Sequence, residues 1–293
     1  MTARFGRVIT AMVTPFDDSG ELDLDAAAEL AQFLVETGSD GLVLSGTTGE
    51  SPALTPSEAS ALFRRVREAV SVPILAGAGS NSTHEALTLT REAAETGVDG
   101  ILSVTPYYNR PSQEGIVEHF TKIAQSTDLP IVLYDIPVRT GRKIDTETLL
   151  RLARGVENIV GVKDAAGDLV DTARFMAEAP DGFELYSGED ALTLPLLSVG
   201  AVGVISVASH WAANRFGEMI DAYGKGDVET ARRVNASLIE SCRFESQADS
   251  PNPIPTKAML RVLGLRVGHC RPPMGGEPPD LEDRARAVLE GLG

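Results

Sequence analysis

The sequence predicts an α/β protein, a (β/α)8 (TIM) barrel followed by a C-terminal helical extension, and three observations carry the prediction. Eight short apolar runs alternate with longer segments of helical period. The runs are apolar at consecutive positions, as parallel strands covered on both faces require. The alternation stops near residue 223, beyond which only helical patterns remain. A count of eight favours a closed barrel over a doubly wound open sheet.

Strands are expected at 7–15 (RVITAMVTP), 41–46 (GLVLSG), 73–79 (PILAGAG), 100–106 (GILSVTP), 130–137 (PIVLYDIP), 159–165 (IVGVKDA), 183–189 (FELYSGE) and 203–209 (GVISVAS). Amphipathic stretches such as DLDAAAELAQFLVETG and STHEALTLTREAAETG lie between them, and Asp25, Ser57 and Thr83 are N-cap candidates. Thr37-Gly38-Ser39-Asp40-Gly41-Leu42 returns 59 residues later as Thr96-Gly97-Val98-Asp99-Gly100-Ile101, an interval of two strand–helix units. In both copies a glycine follows the helix, suited to a left-handed C-cap, and the next strand begins at once. The barrel is assigned to residues 1–223 and the extension to 224–293, where DVETARRVNASLIESCRFE, PIPTKAMLRVLG and DLEDRARAVLEGL are helical and SPNPIP and RPPMGGEPP connect them. The extension reads as a packing or oligomer surface with no chemistry of its own.

The 293 residues carry 42 acidic and 26 basic side chains, a formal charge of −16. That field repels phosphate backbones and anionic lipid, which argues against nucleic acid or a membrane surface as the partner. No apolar run approaches the roughly 18 residues that cross a bilayer, and MTARFGRVIT lacks the apolar core of a signal peptide. Cys242 and Cys270 are too few to staple a secreted scaffold, so a reduced, cytoplasmic chain is expected. His84, His119, His210 and His269 form no close pair, and no GxGxxG follows a strand; neither a metal nor a dinucleotide cofactor is expected.

Chemistry is expected from NIVGVKDAAGD. Of five lysines, against 21 arginines, only Lys163 interrupts an apolar strand. Alternation places Ile159, Gly161, Lys163 and Ala165 on one face and Val160 and Val162 on the other. Lys163 should then point into the barrel above the small Gly161, near the C-terminal end of strand six, where barrel active sites sit. A buried carboxylate partner, or water at the strand end, would give it an ordinary structural role. Desolvation instead makes the neutral amine easier to reach, and a neutral amine attacks carbonyls to form an electron-withdrawing Schiff base.

Loops at the same end supply polar groups. In LSGTTGESPALTPSE, Gly46 and Gly49 free the amides around Thr47 and Thr48 to face an oxyanion; helix capping is the plainer alternative. The eight-residue phosphate loop is missing, so a carboxylate is the expected anion. YDIPVRTGRKI places Tyr134 at a strand end and Arg139 in the loop beyond, which suits a proton donor and a carboxylate clamp. A core aromatic and a solvated arginine are the bland counterparts. Tyr107 and Tyr108 in VTPYYNRPSQEG point opposite ways, and by pattern alone they are packing residues.

GTTGES, VTPYYNRPSQEG, YDIPVRTG, GVKDA, SGED, GVISV and PNPIPTK follow one another along nearly the whole chain. In this order they resemble the dihydrodipicolinate synthase/N-acetylneuraminate lyase family of class I, pyruvate-dependent aldolases. The resemblance implies that Lys163 forms the Schiff base with pyruvate and that Tyr134 moves protons at the carbinolamine. Thr47 and Tyr108 would complete a hydroxyl relay, Tyr108 from a neighbouring subunit. It further implies Thr48 at the pyruvate carboxylate, Arg139 at the carboxylate of the second substrate, and Gly188 and Ile205 lining the pocket. The family is usually a tetramer of tight dimers, so a homotetramer is expected. GTTGES and Arg139 resemble the branch that joins pyruvate to L-aspartate 4-semialdehyde and cyclises the product on the diaminopimelate route to lysine. Sialate lyases and 2-keto-3-deoxy sugar acid aldolases are the alternative, since one loop can redirect the aldehyde pocket. Ser51, Asn81, Glu85 and Tyr107 match the inhibitory lysine site of regulated relatives. Pro56 and Ala59 stand where strongly inhibited members carry histidines, so weak or absent feedback inhibition is expected.

Overall fold

Eight parallel strands hydrogen-bond in sequence order and close on themselves: β1 (Val8–Ala11), β2 (Gly41–Leu44), β3 (Ile74–Gly77), β4 (Gly100–Val104), β5 (Ile131–Asp135), β6 (Ile159–Asp164), β7 (Glu184–Ser187) and β8 (Gly203–Ser206). β8 returns to pair with β1, which completes the barrel. The computed structural model describes residues 3–292. Every expected strand contains an observed one, cut short where the chain leaves the ladder for a loop.

The outer ring is α1 (Leu24–Glu36), α2 (Pro56–Ala69), α3 (Thr83–Ala94), α4 (Gln113–Ala124), the short α5 (Pro137–Thr140), α6 (Thr146–Gly155), α7 (Leu169–Glu178), α8 (Thr193–Ser198) and α9 (Ser209–Gly224). The caps fall one or two residues earlier than expected: Asp23, Thr55 and Ser82, not Asp25, Ser57 and Thr83. Thr55 and Glu58 satisfy each other's backbone amides in a reciprocal box. Pro56 then takes the first helical position, where its missing N–H costs nothing. Asp25 lies inside the first turn, where a carboxylate complements the helix dipole. Gly38 and Gly97 do carry the left-handed backbone, with φ of 114° and 84°.

Two apolar layers result. Phe5, Ile9, Val43, Leu75, Val132 and Tyr186 fill the barrel, while a larger shell lies between strands and helices. At the N-terminal end Tyr186 is fully buried, and its hydroxyl donates to Glu184 Oε2 at 2.8 Å. That floor leaves the opposite, C-terminal mouth for chemistry.

α10 (Val228–Phe244) packs on α9, and α11 (Ile254–Val262) and α12 (Leu281–Leu292) form a further cluster with Phe244. This extension is not confined to packing. α11 and the segments flanking it fold back over the β2–α2 loop and the start of α2, where Asn252, Lys257 and Arg271 touch Thr48, Glu50 and Glu58. No helix among the described residues is long and apolar enough to cross a membrane.

Candidate active site

β6 delivers Lys163 to the C-terminal mouth through an irregularity that alternation did not foresee. Ile131 faces Ile159, but Val132 faces Gly161, so Val160 is a bulge without a partner on β5. Ile159 therefore packs in the outer shell and Val160 in the barrel interior, the reverse of the expected faces. Beyond the bulge the expected order resumes, with Val162 outward and Lys163 directed inward, 5% exposed.

Tyr134 is the register partner of Lys163 on β5. The ammonium nitrogen lies 4.3 Å from the centre of its ring. Among the described residues no carboxylate stands within ion-pair distance, 4.0 Å, of that nitrogen. Lys257 is the instructive contrast. It is fully buried, 2.8 Å from Glu50 Oε1, and it donates to the His269 carbonyl at 2.9 Å. The ordinary role for a buried lysine is thus filled by Lys257, and Lys163 is left with an aromatic face and an open mouth.

Thr47 is half-buried and shares a cavity of about 30 Å³ with Tyr134, Ser45 and Ser51. Thr48 is buried, and its hydroxyl oxygen accepts a 2.9 Å hydrogen bond from Asn252 Nδ2. Gly188 packs directly on the lysine: a Cβ there would lie 2.9 Å from Lys163 Cγ and 3.0 Å from Ala165 Cβ. Ile205 is buried in the barrel interior. Asp190 joins these two walls, accepting from Ser206 Oγ at 2.8 Å and from the Val207 and Ala208 amides at 3.0 and 2.7 Å.

Behind the strands, Asp135 and Asp164 follow Tyr134 and Lys163 and are themselves register partners. Both line a small outer cavity with Lys143. Burial, aided by Asp164, pushes Asp135 up to about 7, against the opposing Ile144 amide hydrogen bond at 3.2 Å.

Two expected site residues stand apart from this cluster in the single chain. Arg139 is exposed on α5. Tyr108 is 88% exposed with a left-handed backbone, φ 71°, so it is not a packing residue within its own chain. Tyr107, Ser51 and Glu85 line an adjoining cavity of about 190 Å³, which shares Ser45 and Ser51 with the smaller one and whose wall includes Pro56 and Ala59. Asn81 lies beside it, its carbonyl accepting from Asn109 Nδ2 at 2.8 Å.

An unpaired lysine beside a phenol, at the C-terminal mouth of a (β/α)8 barrel, defines a class I, Schiff-base-forming lyase. The chain belongs to the Dihydrodipicolinate synthetase family, whose profile matches residues 4–291. It is 48% identical over 292 residues to the 4-hydroxy-tetrahydrodipicolinate synthase of Moorella thermoacetica, covering 99% of each chain. The Bacillus subtilis enzyme of the same name is 46% identical over 272 residues, covering 92% of this chain and 93% of its own. Among solved structures, the dihydrodipicolinate synthase of Cyanidioschyzon merolae with lysine bound superposes with a TM-score of 0.95 at 46% identity, covering 98% of both chains. A Bacillus anthracis dihydrodipicolinate synthase gives 0.94 at 42%, covering 99% of both. The function is that of a pyruvate-dependent class I lyase, dihydrodipicolinate synthesis in the lysine pathway.

Sequence reasoning missed Asn252, Glu50, Lys257 and Arg271. PNPIPTK held two of them, but nothing in a linear pattern ties residue 252 to residue 48.

Proposed function

We propose that Lys163 condenses with pyruvate and passes the resulting enamine to L-aspartate 4-semialdehyde, giving 4-hydroxy-tetrahydrodipicolinate. The observation that carries this reading is the buried Lys163 amine, without a carboxylate partner among the described residues, 4.3 Å from the Tyr134 ring. The neutral amine adds to the keto carbon of pyruvate, and the carbinolamine loses water to form the imine. Tyr134 carries the protons of these steps, with Thr47 next to it and Tyr108 completing the relay from a partner subunit. The imine draws electrons from the methyl carbon, which loses a proton and becomes the nucleophile toward the aldehyde. The amino group of the incoming aldehyde then displaces Lys163 and closes the ring.

Thr48 holds the pyruvate carboxylate, Arg139 that of the aldehyde at the rim, and Gly188 and Ile205 form the walls. An exposed Tyr108 gains a purpose in an assembly of tight dimers, and a homotetramer is the proposed state. The site of action is the cytoplasm, in keeping with two free cysteines. Ser51, Asn81, Glu85 and Tyr107 mark a lysine-binding position, weakened here by Pro56 and Ala59.

Borohydride added with pyruvate should fix a reduced adduct on Lys163, and Lys163→Ala should abolish it. Arg139→Ala should raise the aldehyde KM far more than the pyruvate KM. An enzyme fully active with the aldehyde yet never trapped on Lys163 would overturn the reading.

A further inference from the structure

The β2–α2 loop that carries Thr47 and Thr48 is strained, and its own backbone hydrogen bonds are supplemented from outside. Ser45 and Glu50 both have left-handed backbone, φ 53° and 54°, a conformation that side chains with a Cβ adopt only when their surroundings impose it. At Glu50 the surroundings are the C-terminal extension. Glu50 is buried against Lys257, and its second oxygen accepts from the Arg271 amide at 2.8 Å. The Arg271 guanidinium donates to the Ala53 carbonyl at 2.8 Å and to Glu58 at 2.6 Å. These contacts brace the second half of the loop and its entry into α2.

Asn252 adds something different, because the two ends of an amide are chemical opposites. Its carbonyl oxygen accepts from Thr256 Oγ1 at 3.2 Å, and its amino group donates to Thr48 Oγ1 at 2.9 Å. All three side chains are buried, so water does not compete freely for them. Since Thr48 Oγ1 accepts from Asn252, its own hydrogen is turned elsewhere. Reversing the amide would present the carbonyl oxygen instead, and Thr48 would spend its hydrogen on Asn252. With its oxygen taken by the Thr256 hydroxyl, the amide keeps its amino group for Thr48.

We propose that Asn252 is a positioning residue that keeps the Thr48 hydroxyl free to donate to the carboxylate of the keto acid. This rests on the reading of Thr48 as a pyruvate contact. The keto acid would then be recognised jointly by the barrel and by a residue of the extension that does not touch it.

The test is steady-state kinetics with pyruvate and aspartate semialdehyde varied separately. Asn252→Asp keeps the shape but replaces the donor by an acceptor that takes the Thr48 hydrogen. The pyruvate KM should rise roughly tenfold or more, the usual effect of losing one hydrogen bond to a charged group, with kcat and the aldehyde KM changed less than about twofold. Thr256→Val frees the amide to turn and should give a smaller rise in the same constant. Thr48→Val should raise the pyruvate KM by itself, and adding Asn252→Asp to it should change that constant less than about twofold, because the mediating hydroxyl is gone. If Thr48→Val raises the pyruvate KM while Asn252→Asp leaves it at the wild-type value, or if the two effects multiply, the proposal fails and the Thr48 reading survives. If Thr48→Val leaves the pyruvate KM unchanged, both fall, and borohydride trapping on Lys163 still reports separately on the imine.

Discussion

Replacing Lys257 by methionine removes an ammonium group from one of the driest places in the chain. Lys257 is 0% exposed and the Glu50 side chain 2%, and their charged atoms lie 2.8 Å apart. Burial, with a smaller push from Arg261, lowers the pKa of Lys257, and the Glu50 carboxylate opposes that shift. Methionine fills nearly the same volume, so little cavity opens. The cost comes from Glu50, whose carboxylate keeps the Arg271 amide but loses its counter-charge. Breaking a buried pair by removing one partner costs about 3–5 kcal/mol. The ammonium also sits 4.2 Å from the Phe16 ring centre, a desolvated contact worth on the order of 1–2 kcal/mol, part of which methionine regains by packing. Urea unfolding at fixed protein concentration should show a loss of roughly 3–5 kcal/mol, and the melting temperature should drop by roughly 5–15 °C. Lys257→Met combined with Glu50→Gln removes both charges and should recover most of the loss, to within about 2 kcal/mol of wild type. A single variant that loses less than about 1 kcal/mol, or a double variant no better than the single, would refute this account of the pair.

Acid should destabilise the protein through its buried histidines. Burial lowers His119 and His210 from 6.5 to about 4, and His210 must be neutral because Nε2 accepts from the Val13 amide at 3.1 Å while Nδ1 faces the Val207 carbonyl at 2.7 Å. Between these values the unfolded chain binds more protons, so each histidine should withdraw roughly 1.5 kcal/mol as pH falls from 6.5 to 5, measured by urea unfolding. Asp135 has the opposite sign: raised from 3.8 to about 7, it binds its proton more tightly in the fold and lowers stability as pH rises across that window. Asp135→Asn should therefore steepen the gain in stability between pH 5 and 7; an unchanged slope would rule out a buried, protonated Asp135. Gly188→Ala should slow imine formation at least about tenfold, because the added methyl sits 2.9 Å from Lys163 Cγ and displaces the nucleophile; a wild-type trapping rate would show that the lysine stem yields freely. Lysine should inhibit weakly or not at all, since Pro56 and Ala59 line the cavity beside Ser51 and Glu85, and half-maximal inhibition well below a millimolar would contradict this.

Periodicity and turn chemistry were enough to read the barrel and the inward direction of Lys163; the pairing of Lys163 with Tyr134 came from the family resemblance. Local rules failed where one residue more or less decides a face. The bulge at Val160 exchanged it with Ile159, and a strand-to-strand register is invisible until the neighbouring strand is in place. Capping was displaced for a similar reason, because Thr55 and Ser57 both suit a helix start and only the Glu58 side chain chooses between them. The contacts that shape the β2–α2 loop were beyond reach for a deeper reason. Asn252 and Thr48 are separated by 204 residues, and no pattern along a chain encodes a meeting at that distance. Tyr108 marks the limit in another direction: its exposed ring and left-handed backbone are not written in a pair of adjacent tyrosines.

The order in which the chain is made gives that long-distance contact one more consequence. A ribosome that has released all eight strands has not yet supplied Asn252, Lys257 or Arg271, the residues that keep Thr48 and Glu50 in place. A polypeptide halted in that interval owns the lysine and the phenol but lacks a settled β2–α2 loop beside them. Prematurely terminated copies should thus be inert, and the catalyst switches on only with the final seventh of its own synthesis.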